Sequence, residues 1–385
     1  MKRRRLVVVG TLAANPYAGM AWMHMQIALG LARLGHEVWY FETSSGWPYD
    51  PVRGTVVCAS DYAVPYLART AEAFGLAGRW AYRRSYSDKE WLGLPRAEAE
   101  ALLAGADAVF NVAGATKFAE EGLKVGRLVY FGTDPVGDEV AVSRGEKQWL
   151  VDEHHDFVTY GERIGRPGCA IPPLPRLRAR TRQPVILDLW AGTQPSRDAY
   201  TTVCNWRQDG AVEFRGDTYF WSKDREFRKF IGLPRRVARP VELALGVHDL
   251  DAESRALLDE NGWRLADAHG FTQDPWKYRD YVRASRAEFT VAKDQNVRLK
   301  SGWFSERSAS YLAAGRPVIT QNTGFGDVLP TGEGLFAFDT LAEIVAAFEA
   351  IESDYARHAR AARLIAEEYF RAETVLGRLL RDLGL

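Results

Sequence analysis

The sequence predicts an α/β protein built from two doubly wound, mainly parallel sheets, and three stretches carry that expectation. The first is an opening strand–helix–strand unit. Leu6-Val-Val-Val9 is a short apolar run ending at Gly10, a loop leads to a helix that closes at Leu34, and Gly35-His-Glu-Val-Trp-Tyr-Phe41 returns as a second strand. Two strands joined in this way form the right-handed βαβ unit that starts a parallel sheet. The second is the run Ile171-Pro-Pro-Leu-Pro-Arg-Leu-Arg-Ala-Arg-Thr-Arg-Gln-Pro184, which breaks the pattern and suits an exposed linker. The third is a renewed α/β series beyond that run.

In chain order, Ala108–Val112, Leu128–Phe131 and Asp156–Tyr160 read as further parallel strands of the first half. The second half opens with Val185–Leu189 as its first strand. Val241–Leu245, Trp263–Leu265, Glu288–Val291 and Val318–Thr320 follow. Helices spanning about 340–352 and 354–383 finish the chain, with apolar residues three and four apart. A chain of 385 residues exceeds one compact core of usual size. The expected division is an N-terminal domain 1–175, a linker 176–184, a C-terminal domain 185–365 and a last helix within 366–385.

Composition narrows the class. With 50 basic and 50 acidic residues the formal charge is zero, so no global field favours nucleic acid or an anionic membrane. The Met1-Lys-Arg-Arg-Arg5 start resembles the basic end of a signal peptide, but the apolar run after it is only Leu6–Val9, which reads better as a strand. No run is long enough for a membrane span. Cys58, Cys169 and Cys204 are scattered and odd in number, which fits reduced thiols in a cytoplasmic protein rather than a disulfide framework or metal site.

The segment Ser301-Gly-Trp-Phe-Ser-Glu-Arg-Ser-Ala-Ser-Tyr-Leu-Ala-Ala-Gly-Arg-Pro-Val-Ile-Thr-Gln-Asn-Thr-Gly-Phe325 carries the most chemistry. It reads as a glycine turn, a helix opened by Ser305 and stopped by Gly315, and a strand at Val318–Thr320. Free N–H groups and a partial positive charge gather at a helix start, which therefore suits a diphosphate. Lys293, Arg298 and Lys300 precede it and would add positive charge where a leaving diphosphate gains negative charge. A solvated basic loop is the plainer reading of the same three residues.

In the N-terminal half, His24 lies in the first helix, one turn after Met20, and histidine titrates near neutral pH. Asp134 follows the strand Leu128–Phe131 in Gly132-Thr-Asp-Pro135. It can orient an imidazole, accept a proton or bind acceptor hydroxyls, or it can simply cap the next segment.

The order small-polar-Gly, helix, Ala-Gly-x-Pro-Val, strand resembles the donor-binding segment of GT-B glycosyltransferases, and Leu31-Ala-Arg-Leu-Gly-His-Glu-Val38 matches their N-terminal helix ending. The resemblance spans nearly the whole chain and is similar to a bacterial, natural-product-type or uncharacterised subgroup. It implies two Rossmann-like domains facing a central cleft, with the last helix crossing back onto the N-terminal domain. It also implies metal-independent transfer of a hexose-like sugar from a nucleoside-diphosphate sugar, UDP- or TDP-linked, to a small-molecule acceptor, without a further cofactor. No Asp-x-Asp motif in a suitable loop signals a metal.

Residue by residue, the resemblance places Gly19, Lys293, Arg298, Lys300, Ser301, Gly302, Ser305, Glu306 and Ser310 on the donor's diphosphate and ribose. It places Phe271, Gln321, Asn322 and Thr323 on base or sugar, and His24 and Asp134 in catalysis. Two positions depart from the pattern. Met20 stands where many inverting members carry the catalytic histidine, and Ser310 stands where a glutamate binds the ribose. These departures keep open an epimerase or hydrolase of the same fold, or a noncatalytic nucleotide or sugar binder.

Overall fold

The computed structural model describes residues 2–43, 46–192, 194–246 and 250–385. The first part of the chain runs β1 (Arg5–Val9), α1 (Ala18–Arg33), β2 (Glu37–Glu42), the small hairpin β3 (Tyr49–Asp50) and β4 (Thr55–Val56), α2 (Ala63–Ala73), β5 (Trp80–Arg83), β6 (Trp91–Gly93), α3 (Arg96–Gly105), β7 (Ala108–Val112), β8 (Leu128–Gly132), α4 (Gly137–Ser143), α5 (Gln148–Glu153), β9 (Asp156–Thr159) and β10 (Leu177–Arg180). Eight of these strands form one sheet in the order β10-β9-β8-β7-β1-β2-β5-β6, parallel throughout except for the edge strand β6. Leu6–Val9 are fully buried, as a central parallel strand covered on both faces requires.

The second part runs α6 (Leu187–Trp190), β11 (Tyr200–Val203), the hairpin β12 (Ala211–Phe214) and β13 (Asp217–Phe220), α7 (Asp224–Lys229), β14 (Val241–Leu245), α8 (Ala252–Glu260), β15 (Arg264–Asp267), α9 (His269–Thr272), α10 (Pro275–Ala284), β16 (Ala287–Thr290), α11 (Asp294–Leu299), α12 (Glu306–Ala313), β17 (Val318–Gln321), β18 (Leu335–Phe338), α13 (Leu341–Ser353), α14 (Tyr355–Tyr369) and α15 (Ala372–Asp382). Its sheet is fully parallel, in the order β15-β14-β11-β16-β17-β18.

Three expectations change here. Residues 176–184 do not form a free linker, because Leu177–Arg180 pair in parallel with β9 as the edge strand of the first sheet. Nor does Val185–Leu189 open the second sheet. Val185 makes an isolated bridge to Arg371, the chain turns into α6, and β11 is the sheet's first strand. Alternating Arg at 176, 178, 180 and 182 keeps β10 half solvated, which is an edge strand's pattern as much as a linker's. The expected final helix is also two helices, broken at Phe370-Arg371 where that bridge forms.

Helix α1 connects the two halves. It stops in a left-handed Gly35 at φ 89°, with Gly35 N–H donating to Ala32 O and His36 N–H to Leu31 O. Most of its length is buried, because the first sheet covers one side and C-terminal helices cover the other. Trp22 stacks edge-on against Phe74 and Trp276, packs on Trp190, and donates its indole N–H to Pro275 O at 2.8 Å. Gln26 Oε1 accepts from Ile186 N–H and Trp190 Nε1. Gly30 admits α15: a Cβ there would lie 2.5 Å from Leu376 Cδ1 and 3.0 Å from Ala372 Cβ.

The second sheet has its own internal tie. Arg307, buried near the start of α12, donates from Nε to Glu288 Oε1 at 2.6 Å, from one terminal nitrogen to Val203 O and from the other to Thr290 Oγ1. One guanidinium thus joins α12 to the ends of β11 and β16, with the buried Glu288 as its counter-charge.

Gly30→Val should push α15 off α1 and lower stability by about 1–3 kcal/mol, the usual cost of overpacking a close contact, read as a lower urea midpoint. Arg307→Ala should cost more, about 3–5 kcal/mol, because it strands Glu288. The double change Arg307→Met with Glu288→Leu should recover most of that loss in the same titration, since no buried charge then remains unpaired.

Candidate functional site at the seam between the sheets

In an open parallel sheet, ligands bind beyond the strand C-termini at the point where strand order reverses. In the second sheet that point lies between β11 and β16, which are neighbours although far apart in sequence. The loops leaving these strands meet the loops leaving β8 and β9 of the first sheet, so one seam gathers both sets.

Lys223 occupies this switch point. It follows the hairpin β12–β13 and precedes α7, is 6 % exposed, and its ammonium makes no hydrogen bond or ion pair among the described residues. Burial first, then the charge of Arg307, lower its pKa to about 8, and Lys293 pushes the same way. A buried cation beside two others is a standing demand for an anion.

Lys293, at the end of β16, is held differently. Its Nζ lies 2.6 Å from Asp134 Oδ2 and 3.6 Å from the centre of the Trp221 ring, and Trp221 Nε1 donates to the same Asp134 oxygen at 2.6 Å. Asp134 therefore reaches across from the first sheet and is engaged by two groups of the second.

The helix start at α12 is built as the sequence implied. Ser305 caps it by accepting from Arg307 N–H. Glu306 is half-buried, and its carboxylate has no hydrogen-bond partner among the described residues. It lies near Tyr160 at the end of β9 and Tyr278 of α10, whose hydroxyls are kept neutral by burial first and by the Glu306 charge in addition. Ser301 is fully buried, donates to Asn296 Oδ1 and receives Trp303 N–H.

Gly302 sits at φ 79°, and any Cβ would fall 2.6 Å from Arg163 N. Arg163 belongs to the loop between β9 and β10, and its side chain fills the space before Gly302 and Gly324, donating to Lys300 O and pairing with Asp327. The tight glycine at 302 thus admits a loop of the other domain.

Several expected site residues have other partners in this structure. Arg298 turns outward from α11, over the Tyr219 ring and onto Thr218 O. Lys300 ends α11 in a left-handed conformation and donates to Asn322 O and Asp339, tying the loop to the end of β18. Ser310 bonds back to Glu306 O inside the helix. Gln321 is buried between Ala292 N–H and Glu226, and Asn322 is taken by Asp339 and Gly324 N–H. Thr323 donates to Trp303 O. Phe271 stacks on Tyr281, with ring centres 4.3 Å apart. Gly19 faces open space, with nothing within 4 Å of where a Cβ would lie.

His24 needs the largest correction. It is 1 % exposed, its Nδ1 bonds Met20 O at 2.8 Å, and its ring presses on Gly10, where a Cβ would come within 2.2 Å. Burial lowers its pKa to about 4, so it is neutral at physiological pH and packed under the β1 loop rather than facing the seam.

Sequence reading missed Lys223, Trp221, Arg307 and Arg163. The hairpin before Lys223 did carry a signal: Val212, Phe214, Tyr219 and Phe220 flank Arg215-Gly216, the two-residue turn in which both residues take positive φ. Among the described residues no three His, Cys, Asp or Glu side chains converge as a metal site, and no helix is long and apolar enough to cross a membrane.

No family model and no curated protein matches this chain. Solved structures do. Anabaena HepE in complex with UDP-glucose aligns over 99 % of this chain and 100 % of its own, with TM-score 0.60 and 10 % identity. Sucrose-phosphate synthase from Thermosynechococcus elongatus aligns over 99 % of each chain, with TM-score 0.57 and 13 % identity. AviGT4, a glycosyltransferase involved in avilamycin A biosynthesis, covers 98 % of this chain and 96 % of its own, with TM-score 0.53 and 13 % identity. Whole-length agreement at such low identity is agreement in architecture: two Rossmann-like domains whose strand ends face one seam, closed by a returning C-terminal helix, so the chain has the GT-B fold.

Proposed function

We propose that this protein is a glycosyltransferase that takes a sugar from a nucleoside-diphosphate sugar and passes it to a small-molecule acceptor. The observation that carries this reading is Lys223, a buried lysine at the switch point of the second sheet whose ammonium has no hydrogen bond or ion pair among the described residues. Lys223 and Lys293 would meet the diphosphate beside the N-terminus of α12, and Glu306, free of other bonds, would take the ribose hydroxyls. Neutralising the departing diphosphate with fixed cations lowers the barrier without reorganisation at the moment of bond breaking, and in this reading it does so without a metal. The acceptor would enter from the N-terminal side, near the open face of Gly19. HepE, which shares the fold, was crystallised with UDP-glucose, so UDP is the first donor base to try.

A nucleotide-binding protein without turnover is the second reading. It is favoured by the burial of His24 and the engagement of Asp134 by Lys293 and Trp221, which leave neither as a free base. Product analysis with a UDP-sugar over an acceptor panel separates the two: transfer supports the first reading, and tight binding with no product supports the second.

The pH dependence of binding tests Lys223 itself. In the empty site Lys223 loses its proton as pH rises through about 8. A bound diphosphate favours the charged form, so binding takes up a proton and affinity should fall as pH rises from 7 to 9, approaching about tenfold per pH unit above the free pKa. Titration calorimetry with UDP should show that decline in the wild type. Lys223→Met should bind at least about tenfold more weakly at pH 7, the loss expected for one charged hydrogen bond, and should show no such decline. Equal affinity in both proteins at every pH would remove Lys223 from the site.

A further inference from the structure

At the seam Arg307 is balanced by Glu288, Lys223 has no ion-pair partner among the described residues, and Lys293 is paired with a single carboxylate, Asp134. That carboxylate comes from the other domain, on the loop after β8. Its Oδ2 receives both Lys293 Nζ and Trp221 Nε1 at 2.6 Å, while its Oδ1 is buried without a hydrogen-bond partner. Asp134 thus presents one oxygen to the two donors that a phosphate would engage and leaves the other without a hydrogen-bond partner among the described residues.

The same loop is fastened to the second domain nearby. Trp303 Nε1 donates to Thr133 O and Gln295 Nε2 to Pro135 O, both at 3.0 Å. Arg144 of α4 reaches Glu213 O on β12, so the hairpin that leads into Trp221 also leans on the first domain.

We propose that Asp134 is a stand-in for the ligand's phosphate: in the empty site it holds Lys293 and Trp221, and an entering diphosphate takes these donors and repels the carboxylate, releasing the loop at 133–137 from the second domain. This rests on the nucleotide reading above and deepens it. Asp134 is then a positioning residue that acts through Lys293, not a proton acceptor. Occupancy of the donor site becomes linked to freedom of the acceptor-side loop. Like charges cannot share so small a space, and the phosphate brings more oxygens to the same cations.

The test is UDP binding by calorimetry to the full chain, wild type against Asp134→Asn, with hydrogen exchange at 133–137 and 211–221. Asparagine keeps an acceptor for Trp221 but drops the charge. The expected result is UDP binding about five- to a hundredfold tighter in D134N, the range of ordinary site-to-site coupling, and faster exchange of both segments in the wild type once UDP is added. A merely structural contact would not tighten ligand binding when broken. Asp134→Ser also removes the carboxylate charge and leaves both donors in place; it should tighten UDP binding in the same direction, and it carries the test if D134N does not fold. UDP binding that is unchanged or weaker in the variant overturns the stand-in role and leaves the nucleotide reading intact. Absence of UDP binding in wild type and variants alike overturns both.

Discussion

The structure depends on burying α1 along most of its length. A surface helix of an α/β domain shows one face to its sheet and the other to water. Here the second face is covered by α10, α12 and α15, so apolar residues continue around the helix and the two domains share one continuous core. Trp22 and Gln26 give this packing its direction, because each joins apolar contact to a hydrogen bond with the other half of the chain. The loops at the seam are held at contact distance by this packing well behind them.

The seam itself is organised by charge. Three cations, Lys223, Lys293 and Arg307, converge where β11 and β16 part, and each is in a different state. Arg307 is fully committed to Glu288 and two oxygens of neighbouring strands, so it supports the architecture. Lys293 is engaged by a residue of the opposite domain, and Lys223 is buried with no ion-pair partner among the described residues. This gradation separates the fixed frame of the site from the part available to a ligand, a distinction that residue type alone does not give.

Much of the fold was legible because buried parallel strands are short, mainly apolar runs. Leu6–Val9, Ala108–Val112, Val241–Leu245 and Val318–Thr320 were readable for that reason. Val185–Leu189 misled because it is equally apolar. It is buried as an interdomain crossing, and a short apolar run does not say what buries it. Arg176–Arg182 misled in the opposite sense, since an edge strand and a solvated linker share the same alternation. The site was legible as a region but not in its members. Spacing placed Ser305 and Glu306 at the helix start and Lys293 beside it. It did not reveal that Arg298 and Lys300 turn to the hairpin and to β18, because side-chain direction in a loop follows from partners distant in sequence.

The two places where the chain passes between domains lie side by side. Val185 on the outward crossing donates its N–H to Phe370 O and accepts from Ala372 N–H on the return, so both crossings join in a single parallel bridge. Two separate connections would allow the halves to slide and twist independently. Joined, they form one fixed point shared by both halves of the chain. Any relative movement of the halves is therefore constrained by a few backbone hydrogen bonds far from the seam as well as by the residues that meet there.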